Sequence, residues 1–170
     1  MSIFDSDHLY RFFAELGIVY ERLDHQAVFT ADEAAEHVPP GRGAHAKNLL
    51  VEDRKNGKVY MLTVPFEKRV DLNATAKVLG APKLRFVTPE LMQEVIGVTP
   101  GAVSMLALVN DREKRVHLVV DRAVWEAEAV QCHPLVNTAT LIVDHADLAR
   151  FFEETGHHPQ VLEVPERVGE

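Results

Sequence analysis

The chain has 170 residues, 46% hydrophobic and 26% charged, with a net charge of −8, an ordinary balance for a globular protein with a sizeable core. No apolar run approaches the ~20 residues that span a bilayer, and a single cysteine, Cys132, excludes an intrachain disulfide. The first residues carry acids where a signal peptide carries bases, so a cytoplasmic setting is expected, and the acidic balance argues against a sequence-blind nucleic-acid binder.

No repeat, low-complexity tract or linker divides the sequence, so residues 1–170 read as one domain. Leu9, Phe12, Phe13 and Leu16 at helical spacing predict a first helix over 7–16, stopped by Gly17. A short strand is expected over 20–23. Thr30 and Glu33 have the spacing of a capping box, so a second helix opens there and ends at Pro39-Pro40-Gly41. Two apolar-rich strands, 48–53 and 59–64, flank Asn56-Gly57, a strong turn signal. Asp71 caps a helix that Gly80 closes. A strand over 84–87 follows, then a helix from Thr88-Pro89-Glu90 to Gly97. Residues 104–110 and 116–121 read as a second hairpin. A strand over 138–143, a helix over 146–155 and a strand over 161–164 complete the chain. About seven strands alternating with helices predict a mixed α/β (α+β) fold, a twisted mixed sheet with surrounding helices.

Charge is unevenly spread. From Arg42 to Arg85 there are ten bases and four acids, a segment of +6 against −14 for the remainder. One basic face on an acidic body can hold phosphates, and solvated faces of strands and helices give the same count. Arg69, Lys83 and Arg85 are the candidates within it for contacts to an RNA backbone.

Three places carry groups suited to chemistry. In Ala46-Lys47-Asn48 a lysine enters an apolar strand, where its charge can meet a phosphate or a carbonyl oxygen; a snorkelling surface lysine is the plain alternative. Gly97 and Gly101 bracket a loop whose amides can face an oxyanion, or which simply joins helix to strand. In the third place, Cys132-His133-Pro134-Leu135-Val136-Asn137-Thr138, adjacent residues of an extended chain point to opposite sides. Cys132 and His133 are therefore poorly placed as a nucleophilic pair, and His133 acting alone by hydrogen bonding is the better functional reading. None of the nine histidines forms a metal-binding spacing, and no phosphate loop, dinucleotide fingerprint or nucleophile elbow occurs. No metal or organic cofactor is expected.

The order of Ala46-Lys47-Asn48-Leu49-Leu50, Gly97-Val98-Thr99-Pro100-Gly101-Ala102-Val103-Ser104 and His133-Pro134-Leu135-Val136-Asn137-Thr138 resembles the YbaK/prolyl-tRNA editing superfamily. The nearest likeness is to its freestanding, ProX-like alanyl-tRNA(Pro) deacylase branch, and it extends over nearly the whole chain. The resemblance implies hydrolysis of the ester joining a wrong amino acid to tRNA(Pro), without metal or cofactor. It matches Lys47, Gly101 and His133 to the family's catalytic positions. Asn48, Ala102, Val103, Ser104, Asn137 and Thr138 fall on the substrate side, with Tyr20, Phe29 and Thr30 as walls of an amino-acid pocket. Mischarged tRNA(Pro) is the implied partner, with prolyl-tRNA synthetase as a second, and neither DNA nor membrane. Met105 stands where the family carries proline, which puts the rigidity of that loop in question. A cysteinyl-tRNA(Pro) deacylase, a non-catalytic tRNA- or synthetase-binding module and a small-molecule binder remain open alternatives.

Overall fold

The computed structural model describes residues 5–27 and 42–168. Helix α1 (Ser6–Leu16) starts at a capping box, with the Asp5 carboxylate accepting from the His8 amide at 2.9 Å, and buries Leu9 and Phe13. The other helices are α2 (Leu72–Leu79), α3 (Pro89–Ile96), α4 (Arg122–Trp125) and α5 (His145–Thr155). Asp71 caps α2 and Thr88 caps α3, each by accepting a backbone N–H of the first turn, as the sequence predicts.

The strands are β1 (Tyr20–Asp24), β2 (Ala44–Asp53), β3 (Lys58–Pro65), β4 (Arg85–Phe86), β5 (Val116–Asp121), β6 (Ala129–Cys132), β7 (Ala139–Asp144) and β8 (Gln160–Leu162). They form one mixed sheet in the order β1-β7-β6-β2-β3-β5-β8, with β4 paired to β2. The expected mixed fold with flanking helices is therefore observed, with eight strands rather than about seven.

Strand β2 organises the sheet. One edge pairs along its length with β3, antiparallel, from Ala46↔Pro65 to Asp53↔Lys58. The other edge is shared. Its start runs parallel to β6 through Ala44↔Val130 and His45↔Gln131, and its end pairs with β4 through Val51↔Phe86 and Glu52↔Arg85. At the β6 junction Gly43 has φ 88°, and a Cβ there would lie 2.8 Å from the Ala129 carbonyl oxygen. Only glycine lets the two backbones approach so closely. Alternation along β2 feeds two cores. Leu50 joins the larger one, with α1, α3 and α5, and Val51 joins a smaller one under α2.

The hairpin expected over 104–121 does not form. Residues Met105–Asn110 make a 3-10 helix whose cap is the Ser104 hydroxyl, accepting from the Leu106 amide at 3.1 Å. Met105, Leu106, Ala107 and Leu108 are all buried. A short run apolar on every side does not distinguish a strand from a buried helical turn. Strand β5 instead runs parallel to both β3 and β8. Strand β6 and helix α4 were not anticipated, β4 is only two residues long, and β8 ends before Val164.

After β8 the chain returns past the end of β5 to the segment that follows β3. The Asp121 carboxylate accepts from the Val164 amide at 3.1 Å and from Lys68 Nζ at 2.7 Å, and Lys68 also donates to the Val164 carbonyl. The Asp71 amide donates to the Pro165 carbonyl at 3.0 Å, and the Arg167 amide to the Arg69 carbonyl at 2.7 Å. This strap lays residues 164–167 against residues 69–71. Among the described residues, no helix is long and apolar enough to cross a membrane.

Candidate functional site

The open stretch of β2 between its β6 and β4 pairings carries Lys47 and Asn48, which point to opposite faces. Lys47 lines a cleft of about 430 Å³ together with Leu49, Asp71, Asn73, Phe86 and Arg167. Among the described residues no carboxylate lies within ion-pair distance of its ammonium. Burial, and then the positive charge of Arg69, lower its pKa from the ordinary lysine value. A half-buried cation with a second cation beside it is a receptor for an anion or a polarised oxygen. The carboxylate in the cleft, Asp71, is engaged in capping α2, accepting from the Ala74 amide at 3.0 Å.

Asn48 lies on the other face. Its Oδ1 accepts from the Thr63 hydroxyl at 2.7 Å, across the register pair Asn48↔Thr63. Thr63 is fully buried, so this bond fixes the amide orientation and leaves its NH2 group directed away from Thr63.

His133 follows β6 on the same face of the sheet as His45, which stacks on Phe66 with ring centroids 4.1 Å apart. Burial first, and then the neighbouring His25 and His45, push the His133 pKa down to about 4. The imidazole is therefore neutral at physiological pH, able to donate through one nitrogen and accept through the other. His25 is held by its own bonds: Nδ1 donates to the Gln26 carbonyl at 2.8 Å, and Nε2 hydrogen-bonds with the Thr140 hydroxyl, also at 2.8 Å. Past His133 the chain turns sharply. Leu135 is buried at φ 68°, an unusual conformation for a branched side chain. The Ser6 hydroxyl donates to the Pro134 carbonyl and pins the turn to α1. Such strain persists only where the surroundings enforce it. Thr138 is exposed, and its carbonyl accepts from the His25 amide at 3.0 Å.

Cys132 faces the larger core, 2% exposed, with its thiol pushed up to about 12 by burial. It is an inert core residue and forms no pair with His133, as strand alternation predicts.

Gly101 adopts φ 94°. The Ala102 amide donates to the Thr99 carbonyl at 3.1 Å, closing a turn that seats Ala102 and Val103 against the larger core. Met105 is fully buried as the first residue of the 3-10 helix. The Ser104 hydroxyl, accepting from the Leu106 amide, caps this turn.

Tyr20 packs on Tyr10 and Phe13, with ring centroids at 5.5 and 5.6 Å, so its visible role is in the aromatic cluster behind α1. Phe29, Thr30 and the expected second helix lie outside the described residues. Arg69 is near enough to Lys47 for its charge to lower the lysine pKa, but it does not line the cleft. Lys83 and Arg85 line a separate hollow with Arg54 and Lys55 on the far side of β4. Sequence reasoning missed Phe86, Arg167, His25 and His45. His45 had a signal in strand alternation, two residues before Lys47 on β2, whereas His25, just beyond the end of β1, had none. Arg167 reaches the cleft only through the strap, which no local pattern announces.

A family model described as an aminoacyl-tRNA editing domain matches residues 25–151. The chain is 36% identical over 156 residues to prolyl-tRNA synthetase associated domain-containing protein 1 of Danio rerio, covering 91% of this chain and 84% of that protein. It is 27% identical over 150 residues to the prolyl-tRNA editing protein ProX of Acetoanaerobium sticklandii, covering 88% of this chain and 92% of the other. A solved structure described as that of a candidate trans-editing enzyme for prolyl tRNA synthetase shares the fold. Its TM-score is 0.69 at 22% identity, over 98% of this chain and 100% of that one.

Proposed function

The chain belongs to the aminoacyl-tRNA editing domain family, in its ProX-like prolyl-tRNA editing branch, and we propose that it hydrolyses mischarged tRNA(Pro), with alanine as the residue removed. The observation that carries this reading is Lys47, a half-buried cation without a carboxylate partner among the described residues, in a cleft bordered by further cations.

In this mechanism Lys47 anchors the phosphate or ribose end of the substrate. Backbone amides of Gly101 and Val103, on either side of the Ala102 amide that is spent on the Thr99 carbonyl, face the ester carbonyl and stabilise the charge that develops on its oxygen. A water, activated by the neighbouring ribose hydroxyl, adds its oxygen to the carbonyl carbon. The bond from that carbon to the ribose oxygen breaks, and the ribose oxygen takes the proton. Neutral His133, with Asn137, positions substrate and water by hydrogen bonding. Asn48, Ser104 and Thr138 support the pocket walls, and Arg69, Lys83 and Arg85 contact RNA phosphates.

Physical need supports alanine as the target. A synthetase rejects a smaller side chain only through lost contact, worth about 1–3 kcal/mol per methylene. A small pocket in a second enzyme excludes the larger proline by steric clash, a far stronger filter. The name of the Danio rerio relative fits association with prolyl-tRNA synthetase, which would deliver the mischarged tRNA.

The test is a deacylation panel with Ala-, Cys- and Ser-charged tRNA(Pro), with Lys47→Ala as control. Alanine is expected to be released fastest and the variant to lose most turnover. Preferential release of cysteine would overturn the substrate assignment. Binding of tRNA without hydrolysis of any ester would make the protein a binding module.

A further inference from the structure

Among the described residues the large exposed hydrophobic side chains are Val19, Val78, Phe86, Val136 and Val168, and Phe86 is the single aromatic in that set, 58% exposed. Its position is fixed by β4, where it pairs with Val51 and therefore lies on the Lys47 face of β2. It borders the same cleft as Lys47 and Arg167. Arg167 is brought there by the strap, its amide bonded to the Arg69 carbonyl, so Arg69 is the backbone neighbour of a cleft residue. Two lining cations, Lys47 and Arg167, an exposed aromatic side chain and a carboxylate already consumed by a helix cap make a chemically defined surface, with Arg69 beside it.

Stacking on an aromatic face together with backbone cations is how proteins hold single-stranded nucleic acid. The cleft, at about 430 Å³, is large enough for a nucleotide. Neighbouring residues of a strand point to opposite sides, so β4 presents Phe86 to this cleft and Arg85 to the separate hollow lined by Lys83, Arg54 and Lys55. The two concavities flank one short strand.

We propose that Phe86 is a stacking platform for a nucleobase of the unpaired 3′ end of the charged tRNA, and that Arg167, with Arg69, holds a flanking phosphate. The proposal rests on the editing reading for the identity of the RNA. Phe86 is then a binding residue that acts on substrate capture, with the chemistry left to the groups around Lys47.

Two measurements test it. The first is steady-state deacylation of mischarged tRNA(Pro) by wild type, Phe86→Ala, Phe86→Leu, Phe86→Tyr and Arg167→Gln. Phe86→Ala is expected to raise KM by about 5- to 150-fold, the range for losing one stacked base, with kcat little changed. Phe86→Tyr should restore KM and Phe86→Leu should not, because only a π-face stacks. Arg167→Gln should weaken binding and reduce its salt dependence by about one phosphate contact. The second is binding of an unacylated minihelix ending in CCA, with 2-aminopurine in its unpaired end, read as quenching by the protein. Quenching should be strong in the wild type and lost in Phe86→Ala.

A KM for Phe86→Ala within about twofold of wild type, or rescue by leucine equal to tyrosine, would overturn the platform. The minihelix arm needs no turnover. A wild type that hydrolyses no ester but shows Phe86-dependent quenching overturns the deacylase reading alone. Turnover with quenching indifferent to Phe86 overturns this proposal alone. Since Phe86 is mostly exposed, its variants are expected to keep the wild-type far-UV circular dichroism.

Discussion

Protonation of His133 should cost the native state stability, in an amount set by its surroundings. Burial, reinforced by His25 and His45, places its pKa at about 4 in the folded protein, against an ordinary value of 6.5. Between those limits the unfolded chain binds a proton that the native chain refuses. Stability therefore falls as pH drops through 6.5 and levels off below about 4. The full difference corresponds to about 3 kcal/mol, of which about 2 kcal/mol is already lost at pH 5. The assay compares urea unfolding of wild type and His133→Asn at pH 7.5 and pH 5. Titrating groups that do not interact with His133 are common to both proteins and cancel in the double difference. Wild type should lose about 2 kcal/mol more than the variant over that interval. Equal losses would show that the folded imidazole protonates as freely as the unfolded one, and would refute both its burial and its role as a neutral hydrogen-bonding group.

Because His133 stays neutral well below pH 6.5, the rate of deacylation from pH 5.5 to pH 8 should show no ionisation that His133→Asn removes; the appearance of one would restore general-base chemistry to this residue. Asn48→Ala should cost about 1–3 kcal/mol by stranding the buried Thr63 hydroxyl, and Thr63→Val in that background should recover most of it, as read by thermal unfolding. Gly43→Ala, which forces a Cβ onto the Ala129 carbonyl at 2.8 Å, should destabilise the protein by at least about 1–3 kcal/mol; hydrogen exchange should show β6 losing protection before β3. Cys132 should resist iodoacetamide at pH 8 in the native protein and react after unfolding, and Cys132→Ala should retain turnover, since a thiol pushed up to about 12 has almost no thiolate to offer.

Helix ends were legible in the sequence wherever one residue type does one job. Asp71 and Thr88 cap their helices, and Gly17, Gly80 and Gly97 end theirs at positive φ, between 67° and 72°. The β2–β3 hairpin was legible because Gly57 turns at φ 73° and Asp53 gathers the loop's N–H groups. The run from Met105 to Leu108 was misread because every side chain is buried, and periodicity carries no information when all faces are apolar. Strand β6 was hidden for a related reason: all four residues, including Gln131, are buried. At the site, Lys47 stood out as a polar group within an apolar strand and His133 as one directly after an apolar run. Phe86 and Arg167 did not, because an exposed aromatic on a two-residue strand and an arginine near the C-terminus acquire meaning only when the strap and β4 meet at the cleft.

The basic segment shows how folding redistributes a charge count. Arg42 is spent on Glu21 and Asp144, at 3.1 and 2.6 Å, with Glu128 at 4.0 Å, tying the start of β2 to its neighbours. Lys68 is spent on Asp121 under the strap. Arg54 and Arg85 share Glu52 at 3.8 Å, a distance that leaves both able to accept a better anion. Lys47 belongs to the cleft, within the electrostatic reach of Arg69, and Lys55 and Lys83 to the hollow beyond β4. At physiological salt a charge is felt over about 8 Å. A phosphate lying at β4 therefore meets these nearby cations, while most of the −14 carried by the rest of the chain is screened. The acidic body still repels RNA that does not reach β4. An overall charge of −8 thus selects for an RNA end delivered into the cleft, and long duplexes without an unpaired end should bind poorly even at low salt.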